Sequence, residues 1–367
     1  MKIIALTPVL DKCTIANMVI QGLNDLGHNV IATNPGNSVI NHYDDNEVIE
    51  HSKDADYIFV FWDKGEGNSQ SKYSLLNRIN RPEITAYIDE SEWTSTGVLG
   101  DELSPAYWIT PERGILNRIK ASLSRIKAFI YGRKDLLARQ KGFISRQKVE
   151  AKYNPRRCKG DPWLNDKMFN YCMWYFKREC YPEDVARGII PLNIGCWNEY
   201  FSNLNIKKDI DILCSFGQLD TGLRYEVYHF CKKLEYEGYK VKFIGMGKQK
   251  VDFKTYLELI ARSFIGLSAW GAGNSCRRLY ETMAGRTCCF AQKTEIEFVN
   301  KPEDGVHYVE YSNMAEFMDK IYYYLNNRKL CSDIGKRGYD FVKKYHTGAA
   351  RVHYMLDIMS PKKKKTE

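Results

Sequence analysis

The chain lacks the features that mark several large protein classes. Its 11 cysteines and 7 histidines show neither Cys-x-x-Cys spacing nor a tight cluster, so no structural or catalytic zinc is expected. Cysteines such as Cys172, Cys214 and Cys276 instead fall inside periodic segments, as reduced core residues of an intracellular protein do. No apolar run reaches the length of a membrane span, and MKIIALTPVLDKC breaks too early for a secretory leader, so the expected compartment is the cytoplasm. The first apolar run, KIIALT, is followed by PVLDKC, without the glycine-rich turn that a dinucleotide-binding dehydrogenase places there. A Walker A pattern is also missing, which removes the common nucleoside triphosphatases.

What is present suffices for two packed domains: 367 residues, 44% hydrophobic and 13% aromatic. In the first half the apolar runs KIIALT, HNVIAT, DYIFVFW and EITAYID alternate with helical patterns at 15–26, 45–53 and SKYSLLNRI. Short apolar runs separated by helices predict a parallel sheet covered on both faces. AYWIT is expected to add a strand. YCMWYFKREC stands out for its aromatics and for Lys177 and Arg178 after them, but no motif places it. From DILCSFG onward the alternation returns, with helices predicted at 224–236, 252–261 and 277–284 and strands at YKVKFIGMGK, FIGLSA and TCCFAQ. The polar stretch 198–209 is the best linker. The expected fold class is α/β, with two Rossmann-like domains at 1–195 and 196–345, a C-terminal helix at 346–360 and a disordered basic tail at 361–367.

The run IGLSAWGAGNSCRRLYETMAGRTCCF reads as strand, glycine-rich loop, helix and strand. Such a loop opening a helix is where an α/β protein holds phosphate, because free backbone N–H groups and the helix dipole converge there. Arg277 and Arg278 add the planar donor fork that suits phosphate oxygens, and Glu281, one turn further in, suits vicinal hydroxyls better than phosphate. Loops after Gly217, Gly245 and Gly271 are expected to hold a diphosphate. In the first half, Asp89, Glu90 and Glu92 lie beyond a strand's carboxyl end, where a general base belongs. Two such halves suit group transfer from a nucleotide-activated donor.

The net charge of +9 is unevenly placed: residues 113–160 contain 15 Lys or Arg and 2 acidic residues. Apolar positions recur at helical spacing from Ile115 to Ile130, with basic residues between them. Phe143, Tyr153 and Trp163 are interspersed rather than gathered on one apolar face, which favours a nucleic acid over an anionic membrane as partner.

On CRRLYETMAGRTCCF, the preceding SAWGAGN loop and SNMAEFMDKIYYYL, the chain resembles the donor half of GT-B nucleotide-sugar glycosyltransferases. The likeness narrows toward phage DNA glucosyltransferases acting on hydroxymethylcytosine. It implies a catalytic Asp89 at the end of ITAYID, a diphosphate-binding Arg224 in DILCSFGQLDTGLRYE, Arg278 near the diphosphate, Glu281 on the ribose and Gly245 near the base. Gly217, Gly273 and Asn274 complete the expected donor site. A UDP-sugar is the implied donor and double-stranded DNA the implied partner, held through 113–160, with free magnesium allowed as an aid to diphosphate departure. A monomer acting in the cytoplasm of a phage-infected bacterium is the setting that follows. Gly273 stands where retaining relatives place the first of two glutamates eight residues apart, so inversion is expected. Transfer to a surface polysaccharide or protein, and a nucleic-acid-binding protein with a degenerate nucleotide pocket, are the alternatives.

Overall fold

A computed structural model of the chain describes residues 1–7, 14–34, 42–61, 69–90, 166–201, 206–217, 223–245, 251–270 and 274–360. The AYWIT strand, the basic segment 113–160, Glu92, Gly271, Gly273 and the tail 361–367 lie outside them.

The first domain holds a six-stranded parallel sheet in the order β2-β1-β3-β4-β5-β6. Its strands are β1 (Lys2–Leu6), β2 (Asn29–Ala32), β3 (Tyr57–Phe61), β4 (Thr85–Asp89), β5 (Trp174–Lys177) and β6 (Ile190–Pro191). Ile3, Ile4, Ala5 and Leu6 are all fully buried, as a strand covered on both faces requires. The helices are α1 (Thr14–Asp25), α2 (Asp45–Ser52), α3 (Ser69–Ile79), α4 (Asp166–Tyr171) and α5 (Pro182–Ala186). α2 starts at a capping box in which Asp44 accepts from the Glu47 N–H and Glu47 accepts from the Asp44 N–H.

The second sheet is also parallel and runs β11-β10-β9-β7-β8. It contains β7 (Ile210–Ser215), β8 (Val241–Ile244), β9 (Ser263–Ser268), β10 (Cys288–Gln292) and β11 (Val309–Tyr311). Helices α6 (Arg224–Tyr236), α7 (Phe253–Arg262) and α8 (Arg277–Ala284) link these strands, and α9 (Met314–Asn326), α10 (Arg328–Tyr345) and α11 (Gly348–Met359) follow. In each sheet the second strand lies on one side of the first and the third on the other. That reversal opens a crevice at the carboxyl ends of β7 and β9, where ligands of open α/β sheets collect.

The chain ends by returning to its beginning, since α11 packs along α1. A Cβ built on Gly22 would lie 2.2 Å from the Gly348 carbonyl carbon, and one on Gly348 would lie 2.4 Å from the Met18 carbonyl oxygen. Two glycines therefore let the helix backbones touch. Beside this crossing, fully buried Arg351 donates to the carbonyls of Ile194 and Val299 at 3.3 and 3.2 Å and lies 2.6 Å from His346 Nδ1. Burial, then the Arg351 charge, holds His346 well below its ordinary pKa, so its neutral ring accepts that bond.

Candidate functional site

The second-domain half of the site is built on Phe216, just beyond β7. Gly245, at the end of β8, has a φ of +97°, and a Cβ there would stand 2.9 Å from the Phe216 carbonyl oxygen. Conformation and space both demand glycine at this position. The guanidinium carbons of Arg224 and Arg278 each lie 5.5 Å from the centre of the Phe216 ring. Arg224 donates through Nε and Nη2 to the Ala269 carbonyl at 3.3 Å, and its Nη2 lies 3.5 Å from Cys276 Sγ. Arg278 Nη2 is 3.9 Å from the same sulfur. Its buried Nε has no hydrogen-bond partner among the described residues.

Burial, and then the neighbouring Arg278 charge, lowers the pKa of Arg224. Two like charges held around one ring and one thiol are stabilised by an incoming anion. Cys276 is also the N-cap of α8, and its side chain makes no capping hydrogen bond. The opening N–H groups of the helix therefore lie beside the two guanidinium groups.

Glu281 is buried one turn further along α8. Its Oε2 accepts from the Tyr256 hydroxyl at 2.7 Å, and its Oε1 lies 3.9 Å from Arg277 Nε. Burial and the Glu281 charge raise the Tyr256 pKa well above its ordinary value, so Tyr256 remains a phenol donor. One carboxylate oxygen is thereby held by Tyr256, the other lies at long ion-pair distance from Arg277, and Tyr200 also lies against this carboxylate: burial and then the Glu281 charge raise the Tyr200 pKa. A cleft of about 370 Å³, counting the open space at its mouth, adjoins Cys276 and is lined in part by Trp270, Asn274, Gln292, Thr294 and Glu310.

In the first domain Asp89 ends β4 with no exposed surface. Its Oδ2 accepts from the Tyr175 hydroxyl at 2.9 Å, its carbonyl accepts from the Arg178 N–H at 2.9 Å, and its register partner on β5 is Lys177. Glu90 accepts from the Ile15 N–H at 2.9 Å and so caps the first turn of α1, a structural use of that candidate base. Buried Lys177 donates to the Glu179 carbonyl at 2.9 Å and lies 3.6 Å from Asp184.

The residues that join the two halves follow β5. Arg178 Nη2 donates to the Ser275 carbonyl at 2.8 Å, and the Ser275 N–H donates to Glu179 Oε1 at 2.9 Å. The Asn274 side-chain amide donates to the Tyr181 hydroxyl at 2.6 Å. Thus Asn274, expected to contact donor, uses this amide donor on the other domain.

Residues 224–357 match the family model described as Glycosyl transferase-like. Whole-chain structural comparison extends the likeness to the first domain. A solved α-glucosyltransferase in complex with UDP-glucose and DNA containing an abasic site superposes with a TM-score of 0.56 at 10% identity, covering 98% of this chain and 100% of that one. The chain has the GT-B glycosyltransferase fold. An α-glucosyltransferase with UDP and a 13-mer DNA containing a central A:G mismatch gives a TM-score of 0.59 at 11% identity, over 98% and 99% of the two chains. A third, with UDP and a 13-mer DNA containing a hydroxymethyluracil base, gives 0.54 at 9%, over the same shares. Comparison with curated protein sequences found no match.

Within this GT-B frame, Gly217, Arg224, Gly245 and Arg278 gather around Phe216, while Glu281 lies one turn away and Asp89 sits across the domain junction. Arg178, Glu179 and Tyr181 are the contacts that sequence reasoning missed. Their one signal was a Lys-Arg-Glu run directly after the aromatic WYF, at what proves to be a strand's carboxyl end. Among the described residues, no three His, Cys, Asp or Glu are grouped to hold a metal ion, and no helix is long and apolar enough to cross a membrane.

Proposed function

We propose that the protein moves a sugar from a nucleoside-diphosphate donor, a UDP-sugar, to a hydroxymethylated base in DNA. The observation that carries the donor half is the pair Arg224 and Arg278 around Phe216 and Cys276, at the uncapped start of α8 and the switch point of the second sheet. Backbone N–H groups and two cationic forks converge there, which suits a diphosphate whose negative charge grows as the glycosidic bond breaks. Glu281, buried one turn along α8, takes the ribose hydroxyls.

Asp89 is the base in this reading. It receives the proton of the acceptor hydroxymethyl group as that oxygen attacks the anomeric carbon, and the nucleoside diphosphate departs toward the arginines. A base stacked in duplex DNA must leave the stack to reach such a carboxylate. The DNA half of the proposal rests on the basic surplus of 113–160 and on the fold shared with α-glucosyltransferases solved with DNA. The donor-binding protein is offered UDP-sugars one at a time with duplexes containing hydroxymethylcytosine, hydroxymethyluracil or only ordinary bases, and the nucleosides are weighed by mass spectrometry. A hexose or pentose mass on one modified base is the expected result. Donor cleavage without any modified nucleoside moves the acceptor to a polysaccharide or protein.

Product stereochemistry tests Asp89 separately. One displacement on an α-configured donor gives a β-linked sugar, whereas the structural neighbours are named for the α product. A β anomer by NMR supports direct attack assisted by Asp89, and an α anomer overturns it.

A further inference from the structure

The peptide of Ser275 is gripped on both sides by the other domain. Its carbonyl accepts from Arg178 and its N–H donates to Glu179, so adjacent residues of opposite charge satisfy both main-chain groups of one residue almost a hundred positions away. Arg178, Glu179 and Ser275 are all buried, so loss of either side chain leaves a main-chain group without its partner where water has little access. The neighbouring contacts run the same way: Asn274 to Tyr181, and the Glu297 N–H to the Cys180 carbonyl at 2.7 Å. Four consecutive residues after β5 therefore reach the second domain.

The location of the grip matters more than its strength. Ser275 directly precedes Cys276, the N-cap that contacts both arginines and sets the direction of the first N–H groups of α8. Rotating the Ser275 peptide swings the cap and re-aims the anion site. Arg178 is in addition bonded through its own N–H to the carbonyl of Asp89. A single residue thus ties the base proposed for the acceptor to the loop proposed for the donor.

We propose that Arg178 and Glu179 are positioning residues that hold the donor loop in its diphosphate-binding geometry from the acceptor domain, without touching the donor themselves. The role in turnover rests on the glycosyltransferase reading above; the grip on Ser275 does not. The test compares Glu179→Ala, Glu179→Gln and Arg178→Ala with the unaltered full-length chain, by amide hydrogen exchange of peptides spanning 274–276 and by donor and acceptor KM. Glu179→Ala is expected to speed exchange at Ser275 and to raise donor KM roughly tenfold, the scale of one buried charge-assisted hydrogen bond, while acceptor KM stays put. Arg178→Ala should raise donor KM in the same way. Glu179→Gln restores both exchange and KM, because its amide oxygen accepts the same bond.

Fast exchange with an unchanged donor KM, or a Gln variant as impaired as the Ala variant, overturns the proposal. If the unaltered chain binds no UDP-sugar, the functional reading falls and the donor role falls with it. Exchange at Ser275 would still respond to Glu179→Ala in that case, which separates the two failures.

Discussion

A buried arginine and a half-buried one packed around one ring are a poor way to stabilise the protein on its own. Burial and then the Arg278 charge depress the Arg224 pKa, and Arg278 Nε lacks a hydrogen-bond partner among the described residues. Arg278→Ala should therefore raise the Kd for UDP about 10- to 100-fold and leave the melting temperature of the free protein unchanged or higher. A variant that loses stability and keeps its UDP affinity would mark Arg278 as a packing residue. Asp89 calls for a quieter change, because its carboxylate also accepts from Tyr175. Asparagine retains an oxygen for that bond and loses the ability to take a proton. Asp89→Asn is expected to hold donor affinity and cut turnover by about 10²-fold or more, and full turnover would remove Asp89 from the reaction. For Glu281, UDP and inorganic pyrophosphate differ by the nucleoside that its carboxylate is proposed to read. Glu281→Ala should weaken UDP and spare pyrophosphate in calorimetry; equal losses would mean that it only shapes α8.

Elements with a clean period were the legible ones. β1 to β4, β7 to β10 and helices α1 to α3 and α6 to α8 fall where apolar runs and helical spacing put them, because both faces of each sheet are covered and the strands are correspondingly apolar. β5 escaped assignment because WYFK ends in a lysine, which reads as surface yet is fully buried against Asp184. β11 is only three residues long, too short to show a period. The pairing of Arg224 with Arg278, which the structure sets around Phe216, was likewise readable from the sequence. The Arg178 and Glu179 grip was not, since it depends on which strand ends meet across the domain junction. The return of α11 onto α1 was equally hidden, because its signature is two glycines far apart in sequence. Alanine inside a helix is normally favoured over glycine by up to about 1 kcal/mol. At Gly22 the sign should reverse: the added Cβ meets backbone of α11 at 2.2 Å, and overpacking of this kind costs about 1–3 kcal/mol. A lower urea midpoint for Gly22→Ala is expected, and a raised midpoint would show that the two helices separate easily.

At the scale of the whole molecule, charge separates the two proposed ligands. Residues 113–160 carry an excess of +13 in a chain whose total is +9, so the remainder is slightly acidic and the basic surplus is local. If that segment neutralises about six DNA phosphates, counterion release makes affinity fall roughly 10³-fold between 50 and 200 mM salt. UDP, a small anion proposed to be held by two arginines and helix N–H groups, should lose far less over the same range. Replacing Arg156 and Arg157 by glutamine should flatten the DNA dependence by about two phosphates' worth and leave the UDP Kd in place. Fluorescence anisotropy with a labelled duplex, alongside calorimetry with UDP, reads both quantities on one preparation. Steep salt dependence for DNA with a shallow one for UDP would tie the polyanion to the basic segment and the nucleotide to the second domain. Flat DNA binding with intact UDP binding would instead leave the donor site standing and direct the search toward an acceptor that carries no phosphate.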